Sequence, residues 1–202
     1  AFRYADDVTT TGGQFNTSYP PTNLINNGFT SPANTIDTTT TYAASGNNYA
    51  TANGTTANFN LTFNFNAAVD LSAMYVWNYV YRTAAGVGAT TPGVNAYTLT
   101  FYSASNGGGS VVGSFSGSLV AATFNAVNSA QTVNFGTTNI AVRSVVMHVV
   151  SNYGATYTGM NELAFETTGT NAPAAILSFA TSTNLVTYGN MATLSWQVGA
   201  VT

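Results

Sequence analysis

Twelve tyrosines aside, the ionisable side chains are six carboxylates, three arginines and one histidine. They could serve three chemistries: hydrolysis, cation binding or sugar recognition. Glycosidic hydrolysis needs two carboxylates roughly 5–9.5 Å apart. Glu162 and Glu166 are four positions apart, which on a strand puts them on one face but about 13 Å from each other. Asp6 and Asp7 lie near the start of the chain. A Ser/His/Asp set is formally available, yet no Gly-x-Ser-x-Gly elbow presents a nucleophile. The single histidine, His148, sits inside Val145–Val150 and reads as a satisfied sheet histidine. With no cysteine beside it, zinc has too few ligands. Gly107–Gly109 is followed by neither a helix nor a lysine, so it is a turn and not a phosphate cradle. The chain is therefore expected to be no enzyme.

Sugar recognition has better material. Ser151–Phe165 (SNYGATYTGMNELAF) joins an apolar run to a short alternating one. Gly154, Gly159 and Asn152 in it suit a tight loop. The loop carries Tyr153 and Tyr157, and a second loop begins at Tyr81–Arg82. A tyrosine offers a flat apolar face and a polar tip, and an arginine offers a fixed donor fork. That pairing suits sugar C–H faces and hydroxyls. Tyr81, Arg82, Tyr153, Tyr157 and Asn152 are accordingly the candidate glycan-binding residues. Packing at the core edge, or contact with another protein, would use the same side chains.

Charge is scarce. Charged residues make up 4% of the chain, lysine is absent, and the formal net charge is -3; an average domain is about 25% charged. Nothing can neutralise a phosphate backbone or an anionic bilayer, which excludes nucleic acid and membrane-surface partners. No run of about 18 apolar residues could span a membrane. A surface of Thr, Asn, Ser and Gly repels its copies weakly, so self-association is easy. The composition suggests an extracellular or cell-surface protein of microbial origin, secreted with Ala1 as the end left by signal-peptide removal. Asn16, Asn53 and Asn60 match the glycosylation sequon, as chance allows in so Asn- and Thr-rich a chain.

These residues would be positioned by strands. Phe59, Leu61, Phe63 and Phe65 alternate with polar residues, as do Tyr97, Leu99 and Phe101. Leu71–Tyr81 and Val142–Val150 are apolar on both faces and predict covered strands. Val111–Phe115, Leu119–Phe124 and Val133–Phe135 predict shorter ones. Residues 1–24 read as an edge segment and loop, and 26–56 as a long irregular stretch. No helical stripe appears. The expected fold class is all-β, a jelly-roll β-sandwich.

The order of these pieces carries a resemblance. WNY at Trp77–Tyr79 closes a strand, a Gly/Arg loop follows, NAYTLTFYSAS from Asn95 resumes the sheet, and VRSVVMHVVSNYG with YTGMNELAF closes the domain. This resembles the discoidin-like (coagulation-factor C-type) domains with a galactose-binding-like fold, above all their bacterial carbohydrate-binding modules, over residues 20–167. The front half departs from the family: Asn23–Gly28 and Asn34–Asp37 compete for its Asn-x-Ile-Asp-Gly loop, and Tyr42 stands where it has Trp. The resemblance implies glycan binding and a structural Ca²⁺, for which Glu162 with Asp37, or with Asn26 and loop carbonyls, would supply oxygens. Glu162 could equally accept backbone N–H groups in its turn.

Residues 1–167 would then form the sandwich, 168–173 a linker, and 174–202 strands similar to the opening of a bacterial immunoglobulin-like repeat. Leu194, Trp196 and Val198 make an apolar strand face that needs cover, and they are the candidate subunit interface. Two readings follow. One is a structural or adhesive subunit that self-associates into a surface assembly or filament through these strands. The other is a carbohydrate-binding module of a larger secreted enzyme or adhesin. The sequence favours the first.

Overall fold

The computed structural model describes residues 1–26 and 28–168, together with the backbone of Ala175–Thr181 and Leu194–Gly199. In chain order the strands are β1 (Phe2–Arg3), β2 (Asp7–Thr10), β3 (Thr35–Asp37), β4 (Tyr49–Ala50), β5 (Phe59–Asn78), β6 (Tyr81–Arg82), β7 (Gly88–Ala89), β8 (Ala96–Tyr102), β9 (Val111–Ser118), β10 (Val127–Ser129), β11 (Gln131–Val149), β12 (Gly159–Thr167), β13 (Ala175–Thr181) and β14 (Leu194–Gly199). Among the described residues, helix is limited to 3-10 turns at Pro21–Ile25 and Ser105–Gly107.

Two long strands build the sandwich. The first part of β5, Phe59–Asn64, pairs with Ser144–Val149 of β11, whereas its second part, from Leu71 to Val76, pairs with β12 and with Gln131–Asn139 of β11. One layer therefore runs β2-β5-β11-β8-β9 and the other β1-β12-β5-β11. Both long strands cross from layer to layer. The crossing is marked by register shifts between Asn134 and Ser144, where Gly136 and Ala141 take positive φ. Such irregularities bend a strand out of its sheet. The chain is thus an all-β jelly-roll sandwich, as expected.

The layers are joined by aromatic rings. Phe63 and Phe65 of β5 meet Phe165 of β12 edge-on, with centroids 5.7 and 5.4 Å apart. On the far face of the second layer, Tyr75, Trp77 and Val80 form another cluster with Ile36, packed by Phe2, Phe29 and Tyr42. The Trp77 indole N–H donates to the Asn34 carbonyl at 2.9 Å. The irregular 26–56 stretch is therefore the cover of that face, and it explains why Leu71–Tyr81 is apolar on both sides.

Two sequence expectations change. Val145–Val149 alternates strictly between buried and half-buried positions, so one face of this part of β11 is partly open. Leu119–Phe124 is not a strand. The Gln131 side chain accepts from the Val120 N–H at 2.6 Å and donates to its carbonyl at 2.7 Å, so this segment has an amide in place of a ladder partner.

The chain divides into two compact units, Ala1–Thr168 and Gly169–Thr202. In the second, β13 and β14 pair antiparallel, from Ala175 opposite Gly199 to Thr181 opposite Leu194. The expected strand Leu185–Tyr188 and the side chains of Leu194, Trp196 and Val198 lie outside the described residues.

Truncating the ring that joins the layers should be costly. Phe165→Ala is expected to lower the unfolding free energy by about 3–5 kcal/mol, measurable by urea denaturation. The buried tyrosines set a second expectation. Burial pushes the Tyr49 and Tyr97 phenols up to about 12, so the folded state resists an ionisation that the unfolded chain undergoes near pH 10. Stability should hold below pH 10 and fall between pH 10 and about 12. Denaturation midpoints across that range, with phenolate absorbance, check it.

Candidate ligand-binding site

A cavity of about 490 Å³ opens at one end of the sandwich. Its walls come from four places: Phe15 and Tyr19 on the loop after β2, Thr41 and Ala43–Ser45 with Ala50 before and in β4, Tyr79 just after β5 with Tyr81–Thr83 in and after β6, and Tyr157 on the loop before β12. Five aromatic rings follow one another along it. Tyr19 lies 5.9 Å from Phe15, Phe15 5.3 Å from Tyr157, Tyr157 6.1 Å from Tyr79, and Tyr79 6.1 Å from Tyr81. Phe15 is 47% exposed, whereas Tyr79 is 2% exposed and forms the floor.

Local constraints hold each wall. Backbone bonds join Phe15 N–H to the Ala50 carbonyl at 2.9 Å and Gly46 N–H to the Ser18 carbonyl at 3.1 Å. The buried Asn23 amide donates to the Ser18 and Asn48 carbonyls at 3.0 and 2.8 Å. The end of β5 is fixed by Asn161, whose Oδ1 accepts from the Val80 N–H at 2.8 Å and whose Nδ2 donates to the Val80 carbonyl at 2.9 Å. Tyr79 lies so close to β12 that a Cβ on Gly159 would stand 2.4 Å from its ring. Gly159 does not need positive φ, as the sequence suggested; it needs the space. Positive φ belongs to Gly154, at 100°.

The site carries little charge. Among the described residues no carboxylate lines it, and Arg82 is the one charged residue in its walls. The Arg82 Nη1 donates to the carbonyls of Thr38 and Thr39 and to Asn125 Oδ1, so the guanidinium ties loops together beside the cavity. Burial, and then the bond to Tyr157, raise the Tyr79 phenol far above its ordinary value. Burial, and then the neighbouring Tyr157 and Tyr19, raise that of Tyr81. The hydroxyls of Tyr79 and Tyr157 lie 3.4 Å apart. Near pH 7 the Tyr79 and Tyr81 phenols are neutral, and a phenol hydroxyl can both donate and accept.

Of the five residues expected from sequence, Tyr81, Arg82 and Tyr157 line the cavity. Tyr153 does not: its hydroxyl donates to the Leu119 carbonyl and its N–H to the Thr91 carbonyl. Asn152 shapes the loop, its Nδ2 donating to Ala155 and Tyr157 carbonyls and to Thr158 Oγ1. Phe15, Tyr19 and Tyr79 were not anticipated. The signal for the first two was two aromatics in a polar loop with no apolar neighbours to pack them. Tyr79 was hidden as one more ring of a buried strand.

The residues expected around Ca²⁺ occupy different surroundings. Glu162 is fully buried, facing Tyr4, whose phenol is raised by burial and then by the Glu162 charge. Asp37 is exposed and accepts from the N–H and hydroxyl of Thr39 at 2.8 and 2.6 Å, bonds that hold its carboxyl below the usual range. The Asn26 side chain donates to Asn23 Oδ1 at 3.1 Å. Calcium asks for six to eight oxygens around one point. The acid pair is split between interior and solvent, and among the described residues no group of three or more His, Cys, Asp or Glu could hold a metal ion.

No protein-family model and no curated protein matches this sequence. Solved structures do show likeness. Chitosan-binding module 1 of a chitosanase/glucanase from Paenibacillus sp. IK-5 is 9% identical, with a TM-score of 0.49 over 81% of this chain and 96% of that one. The family 32 carbohydrate-binding module of AlyQ, in complex with 4,5-unsaturated mannuronic acid, is 14% identical, with a TM-score of 0.49 over 82% and 98%. The family 32 module of C. perfringens NanJ, in complex with galactose, is 13% identical, with a TM-score of 0.47 over 82% and 98%. These modules are discoidin-like jelly rolls, the group that the sequence motifs resembled.

The Asn161 bracket can be tested. Asn161→Ala leaves the buried Val80 N–H without its partner, which costs about 1–3 kcal/mol. Urea denaturation should show that loss, and amide hydrogen exchange should show faster exchange at Tyr79–Tyr81 than at β8.

Proposed function

We propose that the unit Ala1–Thr168 is a non-catalytic carbohydrate-binding module that holds a neutral saccharide in the aromatic cavity. It would act outside the cell as part of a larger secreted enzyme or adhesin. The observation that carries this reading is the run of rings from Tyr19 through Phe15, Tyr157 and Tyr79 to Tyr81, set around one cavity with no carboxylate in its walls. Ring faces cover the apolar C–H side of a pyranose. Phenol hydroxyls at the ring tips exchange hydrogen bonds with its hydroxyls. A charged ligand would lose hydration and meet a single charged group, Arg82, whose Nη1 already serves three oxygens. A volume of about 490 Å³ suits a small ligand.

The reading that self-association through Leu194, Trp196 and Val198 is the main role rests on side chains outside the described residues. The cavity therefore supports the carbohydrate-binding reading.

Titration calorimetry against a panel of neutral mono- and oligosaccharides tests the proposal. At least one should bind saturably, and Tyr157→Ala and Phe15→Ala should each weaken it by about tenfold or more. Tyr157→Phe keeps the ring and should lose less. Affinity should barely change with added salt, because no ion pair is formed. If no sugar binds, or if both alanine variants bind as the parent does, the cavity is not a saccharide site.

A further inference from the structure

The outer strand of the larger sheet has a property that the cavity does not use. β9 ends the sheet and, among the described residues, pairs with β8 alone. A free strand edge presents unpaired N–H and C=O groups, and proteins normally blunt it by shortness, charge or proline. The edges at β1 and β2 are blunted in that way. β1 spans two residues and holds Arg3, and β2 spans four, opening on Asp7 directly after Asp6. β9 spans eight residues, VVGSFSGS, and lies in a stretch between Arg82 and Arg143 that holds no charge and, from Val94 on, no proline.

Its sequence is also self-complementary. Gly113-Ser114-Phe115-Ser116-Gly117 reads identically in both directions about Phe115. Two antiparallel copies related by a two-fold axis at Phe115 place Phe115 opposite Phe115, Ser114 opposite Ser116 and Gly113 opposite Gly117. Every cross-strand pair near the axis is then matched in size and polarity. The pleat agrees: Ser114 and Ser116 are exposed, while Phe115 is half-buried, packed against Phe135 at 5.7 Å and near Tyr97 at 6.5 Å. We infer that β9 is a dimerisation edge whose partner is β9 of a second copy, joined antiparallel into one continuous sheet. Such a closed two-fold contact ends at two copies. A contact of one strand buries less than the roughly 1,000 Å² of a durable interface, so the pair forms and separates with concentration.

Sedimentation of the full chain over a concentration series tests this, with two variants. Ser114→Lys with Ser116→Lys sets lysine against lysine at both positions beside the axis. It should weaken association about tenfold or more. Ser114→Lys with Ser116→Glu sets lysine against glutamate at the same two positions. It should associate at least as well as the parent, and added salt should weaken it. Both variants place two charged residues on β9, so a folding defect would not separate them. A parent that stays monomeric at every concentration overturns the proposal. So does equal association of the two variants.

Discussion

The cavity end of this protein depends on buried side-chain amides that stand in for a β-ladder. Where β5 runs out, the sheet no longer supplies partners for its backbone. The Asn161 side chain supplies both, taking the N–H and the carbonyl of Val80. Asn78 accepts from the Tyr79 N–H and donates to the carbonyls of Val94 and Val120. Asn48 and Asn23 extend the set toward the Phe15 loop. All four asparagines are buried. A buried backbone group without a partner costs about 1–3 kcal/mol, so irregular chain can enter the interior only where such partners are given. In a chain with almost no charge, asparagine is the side chain that can give them without bringing an ion indoors.

This is also why the fold was far more legible than the site. The period-2 run Phe59–Phe65 and the run Tyr97–Phe101 announce strands because burial on one face is a repeated signal. A jelly roll follows from many such strands and no helical stripe. What escaped are features with no period. That β5 and β11 each run through both layers depends on bulges, and Ala141 in positive φ is not announced by its type. That Leu119–Phe124 is loop depends on one distant glutamine. The site divides the same way. Tyr81, Arg82 and Tyr157 stood out as aromatic or charged residues in loops, and the cavity has them. Tyr153 carried the same local signal, but its hydroxyl reaches the Leu119 carbonyl, a contact made across the fold. Asn161 and Asn23, which hold the walls, are two asparagines in a sequence full of them.

Charge is placed as sparingly as it is used. Arg3 and Asp6 pair at 2.9 Å beside the short strands β1 and β2, and Arg82 secures three oxygens of the loops around β6. Neither the cavity nor β9 holds an acid. Recognition at both places, as proposed, would rest mainly on shape, ring faces and neutral hydrogen bonds, which are short in range and little affected by salt. Such surfaces gain little long-range steering, and their selectivity has to come from geometry.

Geometry of that kind needs walls that are already in place when the ligand arrives. Rings that must be ordered on binding cost about 0.5–1.5 kcal/mol each. Here the ordering is done beforehand. Tyr79 is clamped between β12 at Gly159 and the amides around Val80. Tyr157 is set by the Asn152 amide that holds its own carbonyl at 2.9 Å. Tyr81 belongs to a strand fixed by Tyr42 on one side and β7 on the other. Phe15 is the exception, half exposed on a loop pinned by its backbone at Ala50. Tyr79, Tyr81 and Tyr157 thus define the shape, and Phe15 is the ring able to shift against what would enter.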